Sequence, residues 1–353
     1  MARKTGTRGY QGYRGRNSGR KWLAAFLVLV LLAAGGFLFL QRDVVYEADG
    51  TFRFELPWKK NKPDQTPDTT ESAEKPKQEL EIIVEKPAQT DLHALELDRS
   101  VLQGGWETAL EGLDESVNAV AIRVKEGERE RSGNILYDSQ VEDAIRCGAV
   151  TGSSVARASI EGLTGSDYYT IARISALHDS KYAYAHMTDA AVCQLTGYVW
   201  YDTYSTHWLA PEKPQARAYV TEIAKECAEL GFDELLFDSF AYPRDGRMSR
   251  IKTDERTMTQ QAALALLADE LREALKEYDI KLSVMIDADI VLAGSEELTG
   301  IVMSELAPKF DRVYVAATGE TLPQLQETME SIDTEFIPML AEPAEDGSYL
   351  IGK

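Results

Sequence analysis

The chain has 353 residues and a formal net charge of −20 at pH 7, from 58 acidic and 38 basic side chains. All 58 acidic residues but only 30 of the basic ones lie beyond Arg42, which gives that part of the chain a net charge of −28. This balance excludes nucleic acid as a partner, because a phosphate backbone needs a basic groove and no cluster of lysine and arginine follows Arg42.

The first 21 residues contain seven basic side chains and no acidic one, in a sequence dominated by glycine, tyrosine, serine and arginine. Such a segment buries too little apolar surface to offset the entropy that is lost on folding. Residues 1–21 are therefore predicted to be a disordered, basic tail.

Residues 22–40 read WLAAFLVLVLLAAGGFLFL, a run of 19 positions without a charge. At about 1.5 Å per residue a helix of this length spans roughly 28 Å, enough for one membrane crossing. The basic flank favours a cytoplasmic N-terminus and an extracytoplasmic C-terminal part. A cleaved signal peptide is the alternative, but its apolar core is usually about 7 to 15 residues long and no small-x-small cleavage site follows. The sequence thus predicts a single-pass signal-anchor in the cell membrane.

Residues 41–90 include the stretches KKNKPDQTPDTTESAEKPKQ and EKPAQT, which are rich in proline, lysine, glutamate and threonine. This composition is typical of an extended linker. Residues 91–353 remain, enough for one barrel-sized domain or two small ones.

Short apolar runs alternate with longer amphipathic segments through residues 91–353. Helices are expected near 105–115, 215–230, 257–278 and 321–331. The second of these places Cys227 on its apolar face and ends at Gly231. The third begins with a capping box formed by Thr257 and Gln260 and has buried leucines at four positions, Leu264, Leu267, Leu271 and Leu275. The expected strands are 92–97, 118–124, 169–176, 234–237, 281–287, 311–317 and 335–340.

Strands that alternate with helices and read as apolar runs indicate a parallel sheet covered by helices. We predict a (β/α)8 TIM-type barrel. An open doubly-wound sheet is the alternative, but no G-x-G-x-x-G or P-loop motif follows any strand. Only seven strands are visible, so either the tail YLIGK at 349–353 closes the barrel or the barrel is incomplete at its last strand.

Cysteine and histidine give no sign of a metal or redox site. The three cysteines form no C-x-x-C pair, and the four histidines show no metal-ligand spacing. No cofactor and no metal are therefore predicted.

In a barrel of this type the working residues lie at the C-terminal ends of the strands. Asp238 ends the fourth strand, and Asp287 and Asp289 end the fifth. Two facing carboxylates can cleave a glycosidic bond, and flat aromatic rings suit the faces of sugars. The same residues also have structural readings, such as an aspartate that accepts backbone N–H bonds or an aromatic lid over the barrel. The candidate substrate-binding residues are Arg173, Trp200, Tyr201, Trp208, Tyr242, Lys125 and Glu126.

Three segments carry a resemblance to a known family: IAKECAELGFDELLFDSFAYP at 223–243, YTIARISALHDS at 169–180 and AVAIRVKEG at 119–127. A weaker likeness covers GYVWYDTYSTHWLAP at 197–211. From about residue 92 to 340 the chain resembles a bacterial family of glycoside hydrolase-like (β/α) barrels. That family is related to the α-amylase type of glycosidase and often stands behind an N-terminal membrane anchor.

The resemblance implies that Asp238 occupies the position of the catalytic nucleophile and that Asp287 or Asp289 is the proton donor. The chain departs from the family's pattern at three positions, and at each of them the family has a charged residue that this chain replaces. Arg123 stands in place of an acid, Ala241 in place of an arginine and Ala210 in place of an aspartate.

Two hypotheses follow for the function. The first is a membrane-anchored protein that resembles a glycoside hydrolase and acts on a cell-envelope or extracellular glycan through a carboxylate pair. The second is a barrel that binds a glycan or an envelope protein without cleavage, and the three departures favour it. A purely structural scaffold at the membrane is a third reading. The sequence does not predict an oligomeric state.

Overall fold

The computed structural model describes residues 44–46, 52–54 and 91–352. Val44–Tyr46 and Phe52–Phe54, within the predicted linker, form a two-stranded antiparallel sheet in a unit that spans residues 1–83. The predicted tail, the predicted membrane-spanning segment 22–40 and most of the predicted linker lie outside the described residues. No helix within the described ranges has the length and apolar character needed to cross a membrane.

The second unit, residues 84–353, contains a closed barrel of eight parallel strands. Each strand pairs with the next one along the chain, and the last pairs with the first. The strands are β1 His93–Glu96, β2 Ala119–Lys125, β3 Tyr169–Ser175, β4 Glu234–Asp238, β5 Lys281–Met285, β6 Arg312–Ala316, β7 Glu335–Leu340 and β8 Tyr349–Ile351. The TIM-type barrel is confirmed.

The C-terminal tail supplies the strand that closes the barrel. In β8, Leu350 lies opposite Met339 of β7 on one side and Ala94 of β1 on the other. Tyr349 and Leu350 are buried, and the Tyr349 ring stacks on His93 with centroids 4.8 Å apart. The question that the sequence left open is thereby answered: the barrel is complete.

Nine α-helices occur in the part of the chain that the structure describes. They are α1 Trp106–Glu111, α2 Glu142–Arg146, α3 Ser154–Thr164, α4 Ser180–Ala185, α5 Pro214–Glu229, α6 Gln260–Leu275, α7 Ala288–Ala293, α8 Met303–Leu306 and α9 Leu322–Met329. Short 3₁₀ helices lie at Arg99–Gln103, Arg129–Arg131, Met248–Arg250 and Ala307–Lys309.

The two long helices largely match their predictions. Helix α5 buries Cys227 and is followed by Gly231 at a φ of +86°, a left-handed conformation that favours glycine. In α6 the four predicted leucines are buried. The predicted capping box is wrong, because the helix begins later: Thr259, not Thr257, caps α6 and accepts a hydrogen bond from the Ala262 N–H at 3.2 Å.

Two short strands that the sequence did not predict extend the sheet beside β2. Ile135–Tyr137 pairs antiparallel with the end of β2, and Val150–Ser153 pairs parallel with Ile135–Tyr137. Gly152 permits this second pairing, since a Cβ atom there would lie 2.0 Å from the backbone of Leu136. A small antiparallel pair, Ser295–Glu296 with Ile301–Val302, follows α7.

The barrel interior is filled in layers. Apolar side chains occupy the middle, among them Ala121, Ile171, Leu236, Tyr314 and Ile337. At the N-terminal ends of the strands lies a charged group, which we call the floor cluster. In it the Arg312 guanidinium reaches Glu234 at 2.6 Å and Glu335 at 2.8 Å, and the Tyr169 hydroxyl donates to Glu234 at 3.0 Å. The strands are therefore not apolar throughout, and charged residues face the interior at both ends of the barrel.

Candidate functional site

Four charged side chains meet inside the barrel at the C-terminal ends of the strands: Glu96, Arg123, Arg173 and Asp238, which we call the mouth cluster. Arg123 Nη1 and Arg173 Nε approach the same oxygen, Asp238 Oδ2, at 2.7 and 3.1 Å. Arg173 Nη1 also reaches Glu96 Oε2 at 2.7 Å, and Arg123 Nη2 lies 3.9 Å from Glu96 Oε1. The two arginines thus link the carboxylates of β1 and β4.

Asp238 is held in its ionised form. Burial alone would raise the pKa of this carboxyl, but the charges and hydrogen bonds of Arg123 and Arg173 outweigh burial and lower the pKa below its ordinary value. While both arginines contact Oδ2, Oδ1 accepts a single long hydrogen bond of 3.3 Å from the Ser239 hydroxyl. An ionised carboxylate with one lightly engaged oxygen is suited to nucleophilic attack.

The lowered pKa of Asp238 predicts a loss of stability in acid. Because the folded-state pKa lies below the unfolded value of about 3.9, the ion pairs contribute stability above that value and lose it as the pH falls through the folded-state pKa. Asp238→Asn is therefore expected to cost about 3 kcal/mol at pH 7 and less at pH 3. Urea unfolding of both proteins at the two pH values measures this, and an equal cost at both would contradict it.

A cavity of about 310 Å³ opens above the mouth cluster at the C-terminal face of the barrel. Arg123, Arg173 and Asp238 form part of its wall. The loops after β2, β3, β4 and β5 supply the rest, including His178, Trp208, Tyr242, Arg244 and Asp287. The structure therefore brings together five of the predicted site residues: Asp238, Asp287, Arg173, Trp208 and Tyr242.

Asp287 and Asp289, the two candidates for the proton donor, share one partner. Arg244 donates to Asp287 Oδ2 through Nη2 and to Asp289 Oδ2 through Nη1, both at 2.8 Å. Both side chains are exposed, 56% for Asp287 and 68% for Asp289. Of these two aspartates, only Asp287 lines the cavity. As a proton donor, Asp287 would have to release Arg244.

An aromatic pair forms another part of the cavity wall. The rings of His178 and Trp208 stack with centroids 4.2 Å apart and an angle of 7° between their planes. Trp208 Nε1 donates to Asp202 Oδ2 at 3.0 Å, and His178 Nε2 lies 2.6 Å from the Thr206 hydroxyl. Burial lowers the pKa of His178 although Asp202 acts in the opposite direction, which favours the neutral imidazole. The pair is thus a fixed, flat surface.

The other predicted aromatic residues occupy different positions. The Tyr242 ring is buried in the cavity wall, where its hydroxyl donates to Glu212 and the Arg256 guanidinium lies 5.0 Å from the ring centroid. Trp200 is buried outside the wall and donates to the Arg247 carbonyl at 3.1 Å. Tyr201 is exposed and does not line the cavity.

Lys125 and Glu126 also lie outside the cavity wall. Lys125 is 1% exposed, and its ammonium lies 2.8 Å from the buried Asp179 carboxylate and donates to the Ser175 carbonyl at 2.7 Å. Glu126 pairs with Arg99 at 3.1 Å and Arg131 at 3.4 Å. These contacts connect the loops to the strands and support a role in stability.

Sequence reasoning missed Glu96, Arg244 and His178 and treated Arg123 only as a departure from a family pattern. The sequence did contain a signal for the two arginines. Arg123 and Arg173 each stand between two apolar residues in β2 and β3, and neighbouring side chains of a strand point to opposite faces, so each arginine lies on the face opposite its apolar neighbours. In a closed barrel that face is the interior. The partners themselves come from distant parts of the chain and have no local signature.

Within residues 91–352 and the two short strands before them, no group of three or more histidine, cysteine, aspartate or glutamate side chains could hold a metal ion. The mouth cluster instead balances its carboxylates with guanidinium groups.

Comparison with known proteins gives a family match over residues 106–316, to the family described as "Putative glycosyl hydrolase domain". None of the curated proteins compared with the chain matches it. Among solved structures, a hypothetical protein from Ruminiclostridium thermocellum is 22% identical, with a TM-score of 0.44, over 54% of this chain and 96% of that one.

Two further solved structures are similar. The PgaB (BpsB) glycoside hydrolase domain from Bordetella bronchiseptica is 15% identical, with a TM-score of 0.45, over 71% of this chain and 83% of that one. Flavobacterium johnsoniae chitobiase is 10% identical, with a TM-score of 0.44, over 70% of this chain, and the chain spans 38% of its length. The family match covers more than half of the chain and includes β2 to β6, and on that match the chain belongs to this family of glycosyl hydrolase domains.

Proposed function

We propose that the barrel cleaves glycosidic bonds of a cell-envelope or extracellular glycan, with Asp238 as the nucleophile and Asp287 as the acid and base. One observation carries this proposal: a buried, ionised carboxylate lines the same cavity as a second carboxylate and the Trp208 ring. Sugar rings present flat C–H faces that pack on aromatic rings, so Trp208 is suited to hold the unit next to the scissile bond.

In the proposed reaction Asp238 Oδ1 attacks the anomeric carbon while the bond from that carbon to the leaving oxygen breaks. Asp287, released from Arg244 and protonated by water, gives this proton to the leaving oxygen. Water then attacks the same carbon, loses a proton to Asp287 and displaces Asp238, which restores both carboxyl groups. Arg123 and Arg173 hold Asp238 Oδ2 throughout and keep Oδ1 directed at the substrate.

A matched pair of variants tests the acid. Asp287 and Asp289 bind the same arginine in the same way, but only Asp287 lines the cavity. We expect Asp287→Asn to lower the rate about 10²-fold or more and Asp289→Asn to leave it near the wild-type value. The measurement is release of reducing sugar from a panel of cell-wall and storage glycans by the full-length chain. Cleavage of none of the glycans would overturn the proposal, and equal losses in both variants would remove Asp287 from it.

A second candidate is a glycan-binding barrel without hydrolysis. The observation in its favour is that one oxygen of Asp238 and one of Asp287 each contact a guanidinium group. Arg123, where the resembling family has an acid, supplies one of these contacts. In this case glycans would bind equally to the wild type and to Asp238→Asn, and neither would cleave them.

We also propose that the domain stands outside the cell membrane, anchored by residues 22–40. The uncharged run of 19 residues behind seven basic side chains supports this topology. Protease added to intact bacterial spheroplasts should digest the domain and spare an epitope placed at the N-terminus. Protection of the domain would contradict the topology.

A further inference from the structure

A second depression lies beside the cavity on the same face of the barrel. It is larger, about 860 Å³, and is built from the loops that follow β2 and β3. We call it the side groove and define it by Arg129, Arg146, Lys181, Tyr184, Tyr204 and His207. The reaction proposed above uses none of these residues.

Two tyrosine rings are exposed in the side groove but held in place. Tyr184 is 64% exposed and meets the His207 ring edge-on with centroids 4.7 Å apart. Tyr204 is 61% exposed and lies against the Arg129 guanidinium, 5.4 Å from its ring centroid. Large exposed aromatic groups in fixed positions are typical of a binding surface rather than of a solvated loop.

The charge of the side groove is opposite to that of the chain around it. Arg129, Arg146 and Lys181 line it against one acidic residue, Glu130. Arg146 is engaged by Glu142 and Asp143 of its own helix. No described carboxylate lies within ion-pair distance of Arg129 or Lys181, although the chain beyond Arg42 has a net charge of −28.

Backbone strain also concentrates at the side groove. Three non-glycine residues of the described chain have a positive φ, and two of them, Arg129 at +45° and Ser205 at +62°, line it. Such a conformation is costly for a residue with a Cβ atom and persists where surrounding structure fixes it, often at binding sites. Here it holds the Arg129 side chain over Tyr204.

The side groove and the cavity are lined by adjacent residues of the chain at two points. Residues 127 and 128 line the cavity while Arg129 lines the side groove, and Trp208 lines the cavity while His207 lines the side groove. A chain molecule bound in one depression would therefore pass close to the other.

We infer that the side groove binds an acidic polysaccharide built from uronic acid units, with carboxylates on Arg129 and Lys181 and sugar rings on Tyr184 and Tyr204. This inference rests on the proposed action on glycans and narrows the substrate to an anionic one. Arg129 and Lys181 favour a negatively charged ligand, and the two tyrosine rings favour one that contains sugar rings over a simple anion.

The test is binding of polygalacturonate to the full-length chain, with the fully methyl-esterified polymer as a probe of the same backbone without charge. We expect the wild type to prefer the acidic form and the double variant Arg129→Gln, Lys181→Gln to bind it at least about tenfold more weakly, while binding of the esterified polymer is unchanged. The matched control is Lys225→Gln, Lys276→Gln, which removes the same charge from exposed positions outside the groove. Its affinity should stay at the wild-type value.

Three results would overturn the inference: no binding of polygalacturonate, equal binding of both polymers, or equal weakening in the variant and the control. Tyr184→Ala provides an independent check, since it should weaken binding without any change in charge. Failure of the proposed hydrolysis would show separately, as a wild type that binds polygalacturonate with the expected preference but cleaves no glycan of the panel.

Discussion

Replacement of Asp238 by asparagine is expected to lower the rate of glycan hydrolysis by about 10⁴-fold or more, the scale on which loss of a group in a nucleophilic unit acts. The amide keeps the shape of the carboxyl group but has no charge with which to attack the anomeric carbon. Arg123 and Arg173, both within 3.1 Å of Asp238 Oδ2, then lose their shared anion. The measurement is the initial rate on whichever glycan the wild type cleaves.

Because Asp238 also stabilises the fold, loss of rate alone does not identify a nucleophile. Asp238→Ala leaves a space in the cavity wall that a small anion can enter. If Asp238 attacks carbon, azide should restore cleavage in this variant and yield a glycosyl azide of inverted configuration. If azide restores nothing while the variant remains folded, Asp238 positions the arginines and does not react.

Deletion of residues 348–353 is expected to prevent formation of a folded barrel. The deletion removes β8, exposes the edges of β1 and β7, and takes away the buried Tyr349 and Leu350. Loss of a large buried side chain costs about 2 to 5 kcal/mol, and domains are stable by about 5 to 15 kcal/mol in total, so two such losses and two broken ladders match the whole stability.

The matched control is deletion of residues 352 and 353 alone. This shorter deletion keeps β8 and loses one long backbone hydrogen bond, from the Gly352 N–H to the Leu340 carbonyl at 3.3 Å. Circular dichroism and cooperative urea unfolding should show a native barrel in the control and an unfolded chain in the longer deletion. A cooperative transition in the longer deletion would show that seven strands are sufficient.

Seven strands could be predicted because each is an apolar run of four or more residues between helical patterns, and the long helices because their apolar residues recur with the helical period. The eighth strand was left open between closure by the tail at 349–353 and an incomplete barrel, since Tyr349–Ile351 has three residues and its alternation is too short to recognise. The start of α6 was misplaced for a related reason. Thr257 and Thr259 are both suitable caps, and the choice depends on where the preceding loop docks.

The candidate site was predictable in part. Asp238 follows from its position at the end of a strand, and Trp208 from an aromatic segment of the chain. Trp200 belongs to the same segment but lies in the interior, because a loop folds back on itself and composition does not say which ring faces outward. The link from Glu96 through Arg173 to Asp238 joins residues up to 142 positions apart and exists only once the barrel closes.

The floor cluster has a consequence for how such a domain diversifies. Arg312 joins Glu234 and Glu335 at the end of the barrel opposite the mouth, with an apolar layer between the two ends. These ion pairs hold the strands in register from the end opposite the candidate site, and none of the three residues lines the cavity. Loops at the mouth can be exchanged, lengthened or recharged over generations without disturbing the alignment of the strands that carry them. The residues that stabilise the barrel are thus different from the loop residues that would determine its substrate.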